Sequence, residues 1–188
     1  MEKTESNTTR AFICIEIPEE IKSNLSKLEK DFPKGNARFV SRENVHITLF
    51  FLGNITNEKI EKVKEILARI NQSAFYCGVE GLSSFSMDRP HVVFADISEG
   101  RDKITDIYNS IYDDIKDLGI KTDDRKYTPH ITIARTAHTK DDEKVIYAIE
   151  KNSEIKFGRF LCNSIKLKKS TLVPKGAIHS DLYEIKLK

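Results

Sequence analysis

The chain lacks most of the features that assign a sequence to a specialised class of protein. Only three of its 188 residues are cysteines, and Cys14, Cys77 and Cys162 are far apart, with no Cys-x-x-Cys spacing. Each cysteine lies in an apolar run that is typical of a strand. We therefore expect three buried free thiols and no zinc site.

Long apolar segments and a signal peptide are also absent. No apolar run approaches the roughly 20 residues that a membrane helix requires. Residues 1–9 are polar and lack the apolar core of a signal peptide. We therefore expect a cytoplasmic protein with no membrane association, in which residues 1–9 form a flexible lead and residues 10–188 form a single two-lobed domain.

A strong net charge is the third absence. The 31 Lys and Arg residues nearly balance the 29 Asp and Glu residues, and the formal net charge is +2. This balance does not indicate a nucleic-acid-binding protein by bulk charge. Any preference for RNA must therefore come from a local arrangement of residues. Lys166, Lys168 and Lys169 form one candidate patch, although a solvated strand edge explains them equally well.

The chain does contain one four-residue motif twice, as His-Ile-Thr-Leu at residues 46–49 and His-Ile-Thr-Ile at residues 130–133. Both copies lie in runs typical of strands. Because successive side chains of a strand point to opposite faces, each copy places its His and Thr on one face. The other histidines, His91, His138 and His179, have no such context, and we interpret them as structural.

Two such strands side by side would line a groove with two imidazoles and two hydroxyls. One neutral and one protonated imidazole can divide base and acid work near neutral pH, and threonine hydroxyls can hold phosphate oxygens. The sequence has no local His/Asp/Glu cluster with metal-ligand spacing and no Walker-type phosphate loop. The repeated motif therefore predicts metal-free attack on a phosphodiester.

Helical and strand periodicities alternate along the chain. The pattern predicts helices at 18–30, 57–71, 102–118 and 139–149, and strands at 10–17, 38–40, 45–52, 74–82, 91–97, 127–135, 155–167 and 177–187. Several neighbouring strands are close enough in sequence to form hairpins, which favours an α+β fold over a purely parallel sheet. Each motif strand is followed by a helix, and this repetition indicates two related lobes that share one groove.

These segments together resemble the two-histidine phosphoesterases, and within them the RNA 2',3'-cyclic phosphodiesterases, historically called 2'-5' RNA ligases. The resemblance covers nearly the whole chain and is carried by RAFI at 10–13, NVHITLFFLG at 44–53, YTPHITIAR at 127–135, Leu167 and the closing segment 170–183. One departure is Phe50, where relatives often carry a lysine.

The resemblance implies an α+β fold of two pseudo-symmetric lobes of antiparallel sheet, with outer helices and the active cleft between the lobes. It implies hydrolysis of 2',3'-cyclic phosphate ends of RNA to 2'-phosphates, and in reverse the joining of ends through a 2'-5' linkage. His46 and His130 would be the acid and base, Thr48 and Thr132 the phosphate binders, and no cofactor would be needed. The implied partners are tRNA-like or other RNA ends, bound by a monomer.

Three further residues are candidate substrate ligands. Arg135 lies at the end of the second motif strand and could bind a phosphate. Its odd spacing from His130, however, puts it on the opposite face unless the strand bends. Tyr127 and Phe50 could stack on bases, although aromatic residues beside a strand more often belong to the core.

Two alternative functions remain open at this point. A phosphodiesterase for a small cyclic nucleotide, such as an ADP-ribose cyclic phosphate, would use the same four residues. A non-catalytic nucleotide- or RNA-binding module could also retain the fold. The second alternative is disfavoured because both His-x-Thr pairs are intact, whereas a binding module would tolerate the loss of either histidine.

Overall fold

The computed structural model describes residues 8–122, 126–136, 142–174 and 176–188. Within these residues there are four α-helices, α1 Glu19–Ser26, α2 Asn57–Ala68, α3 Arg101–Asp117 and α4 Asp142–Lys151. The strands are β1 Thr8–Glu16, β2 Ala37–Phe39, β3 His46–Thr56, β4 Phe75–Ser84, β5 Val92–Glu99, β6 His130–Thr136, β7 Lys156–Cys162, β8 Ser164–Val173 and β9 Gly176–Lys186.

The strands form one sheet in the order β7-β4-β5-β6-β3-β1-β8-β9, and β2 pairs with the end of β6. Every pairing among the described strands is antiparallel. The sheet has two halves, one built on β4–β7 and one on β3, β1, β8 and β9. Between β3 and β6 the described backbone pairs at Ile47 and Ile131. The predicted α+β class is confirmed.

The hydrophobic core lies on the sheet face opposite the His and Thr side chains. In β1 the alternating residues Ala11, Ile13 and Ile15 belong to this core, and all three are at most 2% exposed. The helices pack their apolar stripes onto the same core, as Ile104 and Ile115 of α3 show. None of the described helices has the length and apolar character needed to span a bilayer.

The predicted strand at 155–167 is wrong, because the chain divides there into β7 and β8. β7 pairs with β4 in one half of the sheet, whereas β8 pairs with β1 and β9 in the other half. The chain crosses between the halves at Asn163, whose carbonyl accepts a hydrogen bond from the Leu187 amide. The apolar alternation changes phase at this point, from Phe160 and Cys162 to Ile165 and Leu167, and the predicted strand overlooked that change.

Other boundaries differ by a few residues. β1 begins at Thr8, two residues before the predicted start of the domain, and residues 1–7 of the predicted lead lie outside the described residues. β3 runs on past Gly53 to Thr56, whose hydroxyl accepts a hydrogen bond from the Lys59 amide and caps α2. Residue 139, where the fourth helix is predicted to begin, and His138 also lie outside the described residues.

Three stacked aromatic rings join the two halves beneath the β3–β6 contact. Tyr108 of α3 lies between Phe50 of β3, at 4.4 Å and 8°, and Tyr127, at 4.0 Å and 7°. The Tyr127 hydroxyl also donates a hydrogen bond of 2.8 Å to the Thr48 carbonyl. The segment that leads into β6 is thereby fixed to the backbone of β3.

We expect Tyr127→Phe to lower the free energy of unfolding by about 1 kcal/mol, because the ring stack remains while one half-buried hydrogen bond is lost. Urea titration followed by circular dichroism measures this change. Tyr147→Phe is the matched control, since the Tyr147 side chain is 67% exposed. An unchanged midpoint for Tyr127→Phe would show that the hydrogen bond does not help to hold the halves together.

Candidate active site

The two copies of the repeated motif lie on neighbouring antiparallel strands. Because Ile47 of β3 is directly opposite Ile131 of β6, an approximate twofold axis relates the two copies. Continuing the antiparallel register by one residue places His46 beside Thr132, and Thr48 beside His130. The two histidines are therefore diagonal neighbours, a relation that separates residues by roughly 7–8 Å, with their Cβ atoms somewhat closer.

Burial separates the two faces of each motif. Ile47 and Ile131 are fully buried, whereas the His and Thr side chains of both copies are half-buried on the other face. This is the alternation expected of strands with one face on the core. The face with the imidazoles and hydroxyls, around the β3–β6 contact, is called the groove below.

Both imidazoles are oriented by the same hydrogen bond. His46 Nδ1 lies 2.7 Å from the Asn44 carbonyl oxygen, and His130 Nδ1 lies 2.7 Å from the Thr128 carbonyl oxygen. A carbonyl only accepts, so Nδ1 carries the proton in each ring. The neutral form of each histidine consequently has its lone pair on Nε2, the atom available for proton transfer.

Aromatic rings pack against each imidazole. The Phe12 ring stacks on His46 at 4.8 Å and 25°. Phe94 and Phe85 lie 5.1 Å and 5.0 Å from His130, and Phe85 meets that ring edge-to-face at 87°. These rings restrict the imidazole planes and remove water from one side of each imidazole.

A β-bulge follows the threonine in both copies. Against β5, Phe94 pairs with Thr132 and Val93 with Ala134, so β6 contains one extra residue. The bulge reverses the alternation after it, and Arg135 emerges exposed on the same face as His130. The bend on which this candidate ligand depended is therefore present, and the positive charge of Arg135 acts on His130.

The first copy has the same bulge. Against β1, Cys14 pairs with Thr48 and Ile13 with Phe50, so β3 gains one residue there. The following residue, Phe51, is 67% exposed on the face of His46. It occupies the position that Arg135 occupies in the second copy. Sequence reasoning did not find Phe51, because simple alternation assigns it to the core face.

The structure does not place Phe50 and Tyr127 as base-stacking residues. Phe50 is 5% exposed and one of its ring faces is covered by Tyr108. Tyr127 stacks on the opposite face of Tyr108, and its hydroxyl is bonded to Thr48. Burial raises the pKa of the Tyr127 hydroxyl above its ordinary value. Both side chains belong to the core under the groove. The bulge in β3 turns Phe50 to that side, and Tyr127 packs there against the Tyr108 ring of α3.

Two of the three lysines in the candidate patch are electrically neutralised, and the third, Lys169, is exposed on β8. Lys166 and Lys168 of β8 both form ion pairs with Glu16 of β1 and Asp181 of β9. Lys166 and Lys168 are only 17% and 12% exposed. These four charges form a compact network beside His46 and do not present a free basic surface.

The electrostatic surroundings of the two histidines differ. Burial lowers the pKa of His46 from 6.5 to about 4, against the opposing effect of its backbone hydrogen bond. The charges of His179, Lys168 and Lys22 lower it further. The two lysines are cationic, and His179 becomes cationic when it is protonated.

Burial also lowers the pKa of His130, and its backbone hydrogen bond opposes this effect. Here a carboxylate is close, since Asp96 pairs with His130 across β5 and β6 and acts to raise the pKa. Arg135 and Arg101 act to lower it. Both shifts favour the neutral imidazole in the free protein, and a phosphate anion would raise the pKa of either one.

His179, interpreted from the sequence as a structural residue, lies close to the groove. It lies in β9, and its ring is 5.6 Å from that of His46. No motif surrounds it in the sequence, so its approach to the groove is visible only in three dimensions. His91, by contrast, is an exposed residue just before β5.

The candidate donors do not form a metal-binding cluster within the described residues. No group of three or more His, Cys, Asp or Glu side chains in those parts of the chain has a suitable arrangement. The three cysteines are buried free thiols, as predicted. Burial raises the pKa of the Cys14 thiol to about 12.

Two antiparallel half-sheets that each contribute one His-x-Thr strand to a common groove define a two-histidine phosphoesterase. The chain belongs to the 2'5' RNA ligase-like family, since the family model described as AKAP7 2'5' RNA ligase-like domain matches residues 12–181.

Curated relatives extend over nearly the whole chain. It is 35% identical to the RNA 2',3'-cyclic phosphodiesterase of Thermotoga maritima, with 93% of this chain and 94% of that protein covered. It is 32% identical to the protein of the same name from Methanocaldococcus jannaschii, covering 93% and 99% of the two chains. The fold is similar to that of E. coli LigT complexed with 3'-AMP, with a TM-score of 0.80, 22% identity and coverage of 96% and 98%.

We expect the His46 imidazole of the free protein to titrate near pH 4, well below the ordinary 6.5, because burial and neighbouring cations disfavour its charged form. Histidine-selective NMR across a pH series measures this. Between pH 6.5 and about 4 the unfolded chain binds a proton that folded His46 does not, so stability must fall as pH falls through this window.

His46→Phe should flatten that part of the stability profile, because the substituted ring does not titrate in either state. Urea unfolding at a series of pH values tests this. A His46 midpoint at or above 6.5 in the wild-type protein would contradict the burial of the imidazole.

Proposed function

We propose that the chain hydrolyses RNA 2',3'-cyclic phosphate ends to 2'-phosphates without a metal, with His46 and His130 as the acid–base pair. The observation that carries the proposal is the pair of imidazoles on adjacent strands, each with Nδ1 bonded to a carbonyl and Nε2 left for proton transfer. The names of the curated relatives, RNA 2',3'-cyclic phosphodiesterase, support the same reaction.

The proposed reaction balances with water as the only co-reactant. Nε2 of the neutral histidine accepts a proton from water while the water oxygen forms a bond to phosphorus. The bond between phosphorus and the 3'-oxygen breaks, and Nε2 of the protonated histidine donates its proton to that oxygen. One proton enters the pair and one leaves, so the two histidines exchange roles. Run backwards with an RNA 5'-hydroxyl in place of water, the same steps join ends through a 2'-5' linkage.

Thr48 and Thr132 are proposed to donate hydrogen bonds to the non-bridging phosphate oxygens. Each lies beside the histidine of the other copy, so a phosphate at the twofold axis would meet one imidazole and one hydroxyl on either side. Donors already in place for the charge of the transition state stabilise it without reorganisation. Arg135, exposed on the same face, is proposed as a further ligand of the phosphate or of the next phosphate along the chain.

The proposed RNA contact beyond the phosphate is Phe51. Its ring is exposed on the groove face next to Thr48, where a base of the terminal nucleotide would lie. Aromatic side chains bind single-stranded bases through stacking, with little sequence preference. Phe51 takes the role that the sequence suggested for Phe50 and Tyr127.

We further propose that the protein acts as a monomer in the cytoplasm on tRNA-like or other RNA ends, through one domain over residues 10–188. Both His-x-Thr pairs come from the same chain, so the site needs no second copy. The buried free thiols suit a reducing compartment.

We expect His46→Ala and His130→Ala each to lower the rate with a cyclic-phosphate-ended oligonucleotide by ~10²–10⁴-fold, the usual contribution of a general acid or base. Thr48→Ala and Thr132→Ala should cost less, because each removes one phosphate hydrogen bond and leaves the proton-transfer pair. All rates are measured in excess EDTA, with the product identified as 2'- or 3'-phosphate and with small cyclic nucleotides run in parallel.

Wild-type activity should persist in EDTA, and its pH profile should be a bell whose limbs belong to the coupled pair. His91→Ala is the matched control for a histidine outside the site. A near wild-type rate for either motif variant would make that histidine structural, and loss of activity in EDTA with recovery on adding a divalent ion would overturn the metal-free mechanism.

We expect Phe51→Ala to weaken oligonucleotide binding by about 1–3 kcal/mol, the range for a stacked base. The effect should appear mainly as a higher KM. Tyr147→Ala is the control, because its ring on α4 is equally exposed at 67%. An equal, small effect of both substitutions would remove Phe51 from the proposed binding surface.

A further inference from the structure

A third imidazole lies against His46, outside both copies of the motif. His179 is half-buried on β9, opposite Ser170 of β8. Its ring meets Phe12 at 4.6 Å and 61° and His46 at 5.6 Å and 68°. Since Phe12 also stacks on His46, the three rings are in mutual contact and form what we call the His46 cluster.

The second half of the sheet supplies a comparison. His130 is likewise packed by two rings, Phe94 and Phe85, and Phe85 meets it edge-to-face as His179 meets His46. A phenyl ring therefore suffices to pack an imidazole in this position. The ring of His179 differs from that of Phe85 in that it can gain a proton and become positively charged.

Charged groups face this cluster from four elements. Lys22 comes from α1, Glu16 from β1, Lys168 from β8 and Asp181 from β9. Lys166 and Lys168 are each bonded to both carboxylates, so these two lysines and two carboxylates hold fixed and compensating charges. His179 is the imidazole among these surroundings, and burial lowers its pKa below the ordinary value, as does the charge of Lys168.

We propose that His179 is a positioning residue for His46, which fixes the plane of the His46 ring and, when protonated, opposes protonation of His46. The proposal rests on the proposed function in one respect, because His46 must be one of the two proton-transfer groups. His179 would thereby keep Nε2 of His46 free under conditions in which an isolated imidazole would take up a proton.

Two substitutions separate the two effects. His179→Phe retains an edge-on ring, as Phe85 provides beside His130, and removes only the charge. His179→Ala removes both the ring and the charge and admits water. Ile178→Ala is the matched control, since Ile178 directly precedes His179 in the same strand and its side chain is 59% exposed.

We expect His179→Ala to lower kcat by on the order of 10²-fold at most, as for a small misplacement of a catalytic group, with a smaller change in KM. His179→Phe should recover most of kcat. In both variants the NMR titration midpoint of His46 should move to higher pH, further in Ala than in Phe. The limb of the pH–rate profile that His46 sets should move in the same direction.

Two results would overturn the proposal. One is a wild-type kcat together with an unmoved His46 midpoint in His179→Ala. The other is an equal loss of kcat in both variants with the His46 midpoint unmoved, which would make His179 a structural residue only. If the wild-type protein does not hydrolyse cyclic phosphates, the proposed function fails, but the His46 midpoints still decide whether His179 acts on His46.

Discussion

The contact of β3 with β6 at Ile47 and Ile131 is the constraint on which the site depends. Each half of the sheet has its own strand pairings, but the two motif strands meet through this pair. Both isoleucines are fully buried, and that burial fixes the register. A slip by one residue would turn His46 and His130 into the core and expose the isoleucines.

The structure supports this small backbone contact from beneath. Tyr108 is stacked between Phe50 and Tyr127, so one ring of α3 touches a residue from each half. The hydroxyl of Tyr127 then reaches across to the carbonyl of Thr48. Two aromatic residues that suggested RNA contacts in the sequence thus hold the groove in shape from the core side.

The two motifs are alike in geometry and different in charge. Both imidazoles donate from Nδ1 to the carbonyl two residues earlier, and both are packed by aromatic rings. The charged neighbours that act on the pKa of His46 all lower it, whereas at His130 the Asp96 carboxylate raises the pKa and two arginines lower it. In the proposed acid–base pair, these non-equivalent neighbours would give the two histidines different proton affinities.

The sequence by itself determined the strand character of both motifs, the common face of each His and Thr, the α+β class and the buried thiols. These properties follow from local alternation and composition, which do not require knowledge of distant partners. The helices at 57–71 and 102–118 were likewise predictable, because their apolar residues recur at helical spacing.

Only the tertiary structure decided which residues share the groove. The bulges after Thr48 and Thr132 bring Phe51 and Arg135 to the groove face. A strict alternation of faces does not predict where such bulges occur. The crossing at Asn163 and the approach of His179 to His46 depend on which strands pair, and pairing is set by contacts between residues more than a hundred positions apart. The local pattern determines which side chains a strand exposes. Packing of the whole core determines which other residues those side chains meet.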